Sequence, residues 1–289
     1  MAVFFNGMML DFGGGPIKFE KKFEEYSITV KERTSLKNLY CEDITNTALA
    51  DGDRLIYLIR HSERGNSDLT TDGIWYAKRA GEQLKTQLDS HSATLTAADC
   101  AFFGTSTKRT TDTANYFRQG LLGLDTVEEV AVADNGFRLN FDPTGGDFDN
   151  YNWVSLAGYC KSDNDDAIGK VATQIAEYCL KISTDKKFTL CVTHDFNLIP
   201  LFAWAGRYSS ACTFDFQGGT TDPWICYLTG VAMVVHDDTK NIEIKPFYCI
   251  QEWHSTELEK TIGLQSGDSG YAGRLLQGYT DTINQPSHD

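Results

Sequence analysis

With 289 residues, 41% of them hydrophobic, the chain is long enough to bury a sizeable core as one large domain or a domain with a small cap, and disorder is not its default state. Its 40 Asp and Glu against 26 Lys and Arg give a formal net charge of −14, which repels nucleic acid and anionic membranes over most of the surface, so any anion site must be local. No run approaches the ~20 apolar residues that span a bilayer, and the cysteines contain no Cys-x-x-Cys pair of zinc-ribbon spacing.

Residues 1–50 read as a peripheral N-terminal arm, with Gly13-Gly14-Gly15-Pro16 followed by a charged stretch from Lys18 to Glu25. The glycine triplet lacks the Gly-Lys-Ser/Thr that completes a phosphate loop. Met1 to Asp11 lacks the basic start and apolar core of a signal peptide. A chain trimmed of its leader reads the same way, so the expectation is a soluble protein whose compartment, periplasmic and extracellular included, is open.

Regular structure begins with Arg54 to Ile59, a mostly apolar run of the length of a strand buried on both faces. From a Thr71-Asp72 N-cap, Ile74, Ala77, Gly81, Leu84 and Leu88 recur at helical spacing. A second unit follows: Cys100 to Phe103 as a strand, a Thr/Ser-rich loop, and a helix from about Thr111 to Leu122. Between Asp134 and Gly158 the chain is rich in Asn, Asp, Gly and aromatics, the composition of a surface excursion, and residues 123–165 are expected to form a cap insertion. Ile168, Val171, Ile175, Tyr178 and Ile182 make another helical stripe, and Phe188 to Val192 runs as a buried strand into Thr193-His194-Asp195. Cys179 and Cys191 lie in these apolar segments and read as free buried thiols. Gly230 to Val235 and Ile242 to Phe247 flank Asp237 to Asn241 as a hairpin, and residues 261–289 form a tail. Alternating strands and helices predict a single α/β domain, a three-layer sandwich around a mainly parallel sheet with a small cap. In such sheets ligands bind beyond the carboxyl ends of the strands.

Three polar clusters each follow a strand: Arg60-His61-Ser-Glu-Arg64, Thr105-Ser-Thr-Lys-Arg109-Thr110, and His194-Asp195-Phe-Asn197. If these loops converge, two histidines and three arginines surround one volume, and on an acidic protein that calls for an anion. Phosphate fits best, because the arginine fork matches its oxygens and never deprotonates at ordinary pH. A neutral imidazole can accept a phosphoryl group and split hydrolysis into transfer to histidine and release to water. Asp195 beside His194 is placed to protonate the leaving alcohol and then activate water. Nearby arginines lower its pKa and a bound phosphate raises it, so activity is expected to be best on the acid side of neutrality.

Arg60-His61 after a strand, Leu69-Thr70-x-x-Gly73 opening a helix, Arg109-Thr110-x-x-Thr113-Ala114 and the distant His194 resemble the histidine phosphatase superfamily, across roughly residues 54–250. Arg64 matches the second arginine of an Arg-His-Gly-x-Arg-x-Pro signature, and His194-Asp195-x-Asn197 matches the His-Asp-x-Asn of the acid-phosphatase and phytase branch. The resemblance implies a phosphoglycerate mutase-like fold, His61 as the phosphorylated nucleophile, Arg60, Arg64, Arg109 and His194 as phosphate ligands, and Asp195 as the acid. It implies no cofactor and no metal. Ser62 stands where the signature has glycine, and Gly65-Asn66 replaces the segment that ends in proline. Arg60-His61-x-Glu63 also resembles the mutase-like branch, whose acid is a glutamate between the two histidines; Glu129 and Asp134 are then the alternative acids, with Glu63 a charge neighbour.

Three readings therefore compete: a phosphomonoesterase, a phosphoglycerate mutase-like phosphotransferase, and an inactive phosphate-ester-binding module. The aspartate beside the second histidine favours the first. A metal-dependent hydrolase lacks any His/Asp cluster of ligand spacing in the sequence. The short cap, with few Lys or Arg between Asp134 and Cys160, favours small phosphate monoesters as partners over polyphosphates, with no nucleic acid and no membrane; oligomeric state is not readable. His91, His236, His254 and His288 have no comparable context, and the aromatics Tyr151, Trp153, Trp224 and Trp253 read as core or cap contacts before cleft walls.

Overall fold

The computed structural model describes residues 10–11, 16–17, 26–30, 34–35, 53–65, 67–90, 95–133, 175, 177–194, 197–198, 201–202 and 227–248. The first buried run of the sequence forms a strand, Asp53–Arg60, and around it a large sheet is built. In chain order the strands are β1 (Leu10–Asp11), β2 (Pro16–Ile17), β3 (Ser27–Val30), β4 (Thr34–Ser35), β5 (Asp53–Arg60), β6 (Cys100–Gly104), β7 (Ala131–Val132), β8 (Phe188–Thr193), β9 (Gly230–His236) and β10 (Asn241–Tyr248). The helices are α1 (Thr71–Ser90) and α2 (Lys108–Leu122). β1 and β2 form a separate two-stranded ladder; the other eight strands share one sheet in the order β3-β10-β9-β5-β8-β6-β7, with β4 also pairing β10. β5, β8, β6 and β7 run parallel, whereas β9 lies antiparallel to both β5 and β10. Antiparallel β9–β10 is the expected hairpin, and the fold is α/β with a mostly parallel sheet.

Leu55 to Ile59 are all buried, which is why β5 reads as a continuous apolar run rather than an alternating one. Strand periodicity sorts them between two faces. Leu55, Tyr57 and Ile59 join Phe188, Leu190 and Val192 of β8 in a core with Tyr76, Ala80, Leu84 and Leu88 of α1 and Ala114, Phe117 and Leu121 of α2. Cys191, one residue out of phase in β8, faces the opposite layer, where it neighbours the buried Cys179 of the helical stretch 177–182. Arg54 reaches that layer too, donating to Ser183 Oγ at 2.8 Å. Helices thus cover both faces, the three-layer arrangement expected of the pattern.

Two helices pack on one face at unusually short range. A Cβ on Gly81 of α1 would lie 2.1 Å from Phe117 O, and one on Gly120 of α2 would lie 2.1 Å from Lys78 O, so the backbones touch where only glycine fits. Phe117 stacks on Phe188 at 6.2 Å between ring centroids, and Tyr57 meets Phe188 edge-on at 5.3 Å. Truncating Phe188 to alanine at this junction costs about 3–5 kcal/mol.

The fold departs from the sequence reading in two places. Part of the segment expected as a peripheral arm is sheet: β3 and β4 pair parallel with β10, and Ser-Ile-Thr-Val of β3 carries the β-branched residues an edge strand favours. α2 begins at Lys108, ahead of the expected Thr111; its N-cap Thr107 makes no side-chain cap hydrogen bond, and Thr110 Oγ1 instead donates back to Thr107 O at 2.6 Å. The expected cap beyond residue 133, Ile168 and Val171, and the tail 261–289 lie outside the described residues. Among the described residues no helix is long and apolar enough to cross a membrane.

Candidate functional site

Because β5, β8 and β6 are parallel neighbours in near register, their carboxyl ends meet at one edge. Arg60 pairs with Thr193, and Gly104 with Val192. His61 N–H continues the ladder by donating to Thr193 O at 2.9 Å. His61 and His194 therefore leave the sheet side by side, with ring centroids 5.4 Å apart and planes at 69°. Arg60, His61 and His194 are at most 5% exposed.

The loop after His61 is held from two helices. Ser62 N–H donates to Thr113 Oγ1 of α2 at 2.9 Å, and Ser62 Oγ donates to Gly73 O of α1 at 2.7 Å. The first turn of α1 lies so close that a Cβ on Gly73 would sit 2.0 Å from Glu63 O. This explains the Leu-Thr-x-x-Gly spacing: the threonine caps and the glycine admits the loop. The cap is Thr70 rather than the expected Thr71, since Thr70 Oγ1 accepts Gly73 N–H at 2.9 Å and donates to Glu63 Oε1 at 2.8 Å. Burial pushes the Glu63 carboxyl pKa up against the pull of the Thr70 hydroxyl, and Asp72 adds to the rise. Arg64 follows on a bridge to Leu69, with Nη1 donating to Gly65 O at 3.0 Å.

Hydrogen-bond logic fixes the tautomer of His61. His61 Nδ1 lies 2.7 Å from Ser62 O, a pure acceptor, so Nδ1 carries the proton and Nε2 keeps its lone pair. Arg109 Nη2 stands 3.4 Å from His194 Nδ1, and Thr105 Oγ1 lies 3.4 Å from His194 Nε2. Thr105 Oγ1 in turn lies 2.8 Å from Thr110 Oγ1, whose hydroxyl ends the chain on Thr107 O. Burial holds the His61 pKa well below the ordinary imidazole value; the Arg60 charge, His194 and Arg109 push the same way, and the Ser62 carbonyl opposes them. The result is an imidazole held toward its neutral form, its Nε2 lone pair unprotonated, beside guanidinium groups at an edge where strands end.

Arg60, His61, Arg109 and His194 are thus brought together, and Arg64 lies on the loop between them and α1. Asp195 lies outside the described residues, next to His194, whose carbonyl accepts Asn197 N–H at 3.2 Å. Asp134 also lies outside them. Glu129 is exposed two residues before β7, set back from the carboxyl edge that β7 shares with β6. His236 is at the far end of β9, with Nδ1 3.0 Å from Asp53 Oδ2. Among the described residues no group of three or more His, Cys, Asp and Glu side chains converges as a metal site.

Tyr227 belongs to the site and escaped the sequence. Its ring lies 5.5 Å from the His61 ring, and the Arg60 guanidinium carbon sits 4.3 Å from its centroid. The residue precedes a strand instead of following one. It reaches the carboxyl edge only because β9 runs antiparallel to β5.

No protein-family model and no curated protein matches the chain. Solved structures do. A phosphoglycerate mutase from Bacillus anthracis str. Sterne aligns over 70% of this chain and 96% of its own, at 13% identity and a TM-score of 0.38. A phytase from Klebsiella sp ASR1 aligns over 66% of this chain and 80% of its own, at 11% identity and a TM-score of 0.38. Hafnia alvei phytase, solved with tartrate, aligns over 65% and 82%, at 12% identity and a TM-score of 0.35.

Proposed function

We propose that this chain hydrolyses small phosphate monoesters through a phosphohistidine on His61, without a metal. One observation carries the reading: His61 is buried, neutral and tautomer-locked with Nε2 available, beside Arg60 and within one ring contact of the Arg109–His194 pair. Nothing about a core histidine requires two arginines, whereas an anionic phosphoryl group does.

In this mechanism the Nε2 lone pair attacks phosphorus as the bond to the leaving oxygen breaks, and Asp195 gives that oxygen its proton. Water then attacks the phosphohistidine, Asp195 takes a proton from it, and inorganic phosphate leaves with His61 restored. Arg60, Arg64, Arg109 and His194 bind the equatorial oxygens on which transition-state charge collects. Guanidinium groups placed before substrate arrives cost little reorganisation during the reaction. A depressed His61 pKa supports activity on the acid side of neutrality, where an ordinary imidazole is largely protonated and non-nucleophilic. The aspartate following His194 favours hydrolysis over mutase-like transfer.

The test is p-nitrophenyl phosphate hydrolysis from about pH 4 to 8, a window spanning ordinary carboxyl and imidazole pKa values, in chelator, for the wild type, His61→Ala and Asp195→Asn. Chelator-resistant activity lost in His61→Ala and reduced at least ~100-fold in Asp195→Asn is expected. A folded wild type with no turnover overturns the phosphatase reading and leaves phosphotransfer or binding.

A further inference from the structure

Among the described residues of the site, the approach to β9 is held in an uncommon backbone conformation. Leu228 has φ 59°, in the left-handed region that bulky side chains rarely adopt, although it is buried in the core. Two main-chain hydrogen bonds hold it there. Arg60 N–H donates to Thr229 O at 2.8 Å, and Leu228 N–H donates to Arg60 O at 3.2 Å. Tyr227, only 3% exposed, directly precedes this left-handed residue and lies at the end of β5. Its ring then meets two groups of the site at once: the Arg60 guanidinium carbon at 4.3 Å and the His61 ring at 5.5 Å, inclined by 43°.

We propose that Tyr227 is a positioning residue for this site, its ring face fixing the Arg60 guanidinium against the phosphate-binding edge. The inference rests on the phosphate-ester reading above and adds the device that orients its first arginine. A guanidinium at the end of a long side chain has many rotamers, and ordering them costs free energy when phosphate binds. A desolvated aromatic face holds the cation beforehand, through the guanidinium plane and not its edge. The Tyr227 ring and the Arg60 main chain are tied to each other through Leu228 and Thr229, so the strained turn sets the ring where the guanidinium must lie.

The experiment replaces Tyr227 by Phe and then by phenylalanines carrying one and three ring fluorines, which keep the ring nearly constant in size while emptying its face of electron density. Inorganic phosphate affinity is measured by calorimetry on each, with kcat and KM for p-nitrophenyl phosphate beside it, and circular dichroism verifies folding. Affinity falling stepwise by about tenfold across the series is expected, with the loss absent when the series is repeated on Arg60→Ala. A flat series in folded protein overturns the proposal and leaves Tyr227 a packing residue. Calorimetry reads phosphate binding even if no ester is turned over, so failure of the hydrolysis reading and failure of this one are separate results. Tyr227→Leu, with the ring gone, must weaken phosphate at least as much as the trifluoro ring; phosphate affinity at wild-type strength in that variant also overturns the proposal.

Discussion

Replacing Thr113 by valine removes one hydroxyl and almost nothing else, and the structure fixes what that hydroxyl does. Thr113 and Ser62 are both fully buried, and Ser62 N–H has Thr113 Oγ1 as its acceptor at 2.9 Å. Valine matches threonine in shape and in β-branching, so the helix is disturbed little. Ser62 N–H then loses its partner away from water, a loss of ~1–3 kcal/mol. The hydroxyl's own donation to Arg109 O, at 2.7 Å, supplements a helical carbonyl and matters less. That N–H belongs to the peptide following His61, so a peptide that rotates in search of water carries the His61 ring with it. A displacement near 1 Å lowers the rate by roughly 100-fold in a site that depends on orientation. Urea unfolding followed by circular dichroism, with kcat/KM for p-nitrophenyl phosphate, measures both effects on Thr113→Val and Thr113→Ser. Serine keeps the hydroxyl and is expected to retain most stability and turnover. Equal losses in the two variants would refute the reasoning, since the methyl group and not the hydrogen bond would then hold the loop.

Gly73→Ala puts a methyl group 2.0 Å from Glu63 O, where main chain must move to admit it. Overpacking of this kind costs ~1–3 kcal/mol, and a crystal structure should show the Glu63 segment moved away from α1; an unmoved loop with wild-type stability would sink the close-approach argument. For His61 the sign of pH dependence follows from its lowered pKa: just below the ordinary imidazole pKa of about 6.5 the unfolded chain takes a proton that the folded chain refuses. That contribution to stability is fully present above pH ~6.5 and is lost as pH falls below it, by up to ~1.4 kcal/mol per pH unit, until the folded group also titrates. His61→Asn, which cannot titrate, should therefore lose less stability than the wild type between about pH 7 and 5.5. Parallel slopes for the two proteins would show that His61 is not held neutral.

Much of this architecture could be read in advance because buried parallel strands are legible as apolar runs. β5, β6 and β8 stand within two residues of their expected bounds, and the polar clusters behind them share one edge because parallel strands end together. The helix start at Thr70 was beyond reach for a different reason: Thr70 and Thr71 are equal candidates until the neighbouring Glu63 carboxylate and Gly73 amide are in place to choose between them. Tyr227 was hidden by direction. Nothing in the period of β9 says that it runs against β5, and only that reversal brings the residue before it to the site. The edge strands β3 and β4 were missed because a few β-branched residues beside the charged run Lys31 to Arg33 give too short a pattern to stand out.

The position of β5 between β8 and β9 also sets when the site can come into being. Its two neighbours in the sheet come from residues 188–193 and 230–236, far along the chain from residues 53–60. Contacts so distant in sequence are closed late and slowly. During synthesis from the N-terminus, His61 emerges well before Thr193, to which its amide is bonded, and before Thr229, which holds Arg60. Nascent chains ending short of β9 therefore have no place to seat Tyr227, and the edge of β5 that β9 covers stays open to solvent until residues 230–236 have been made.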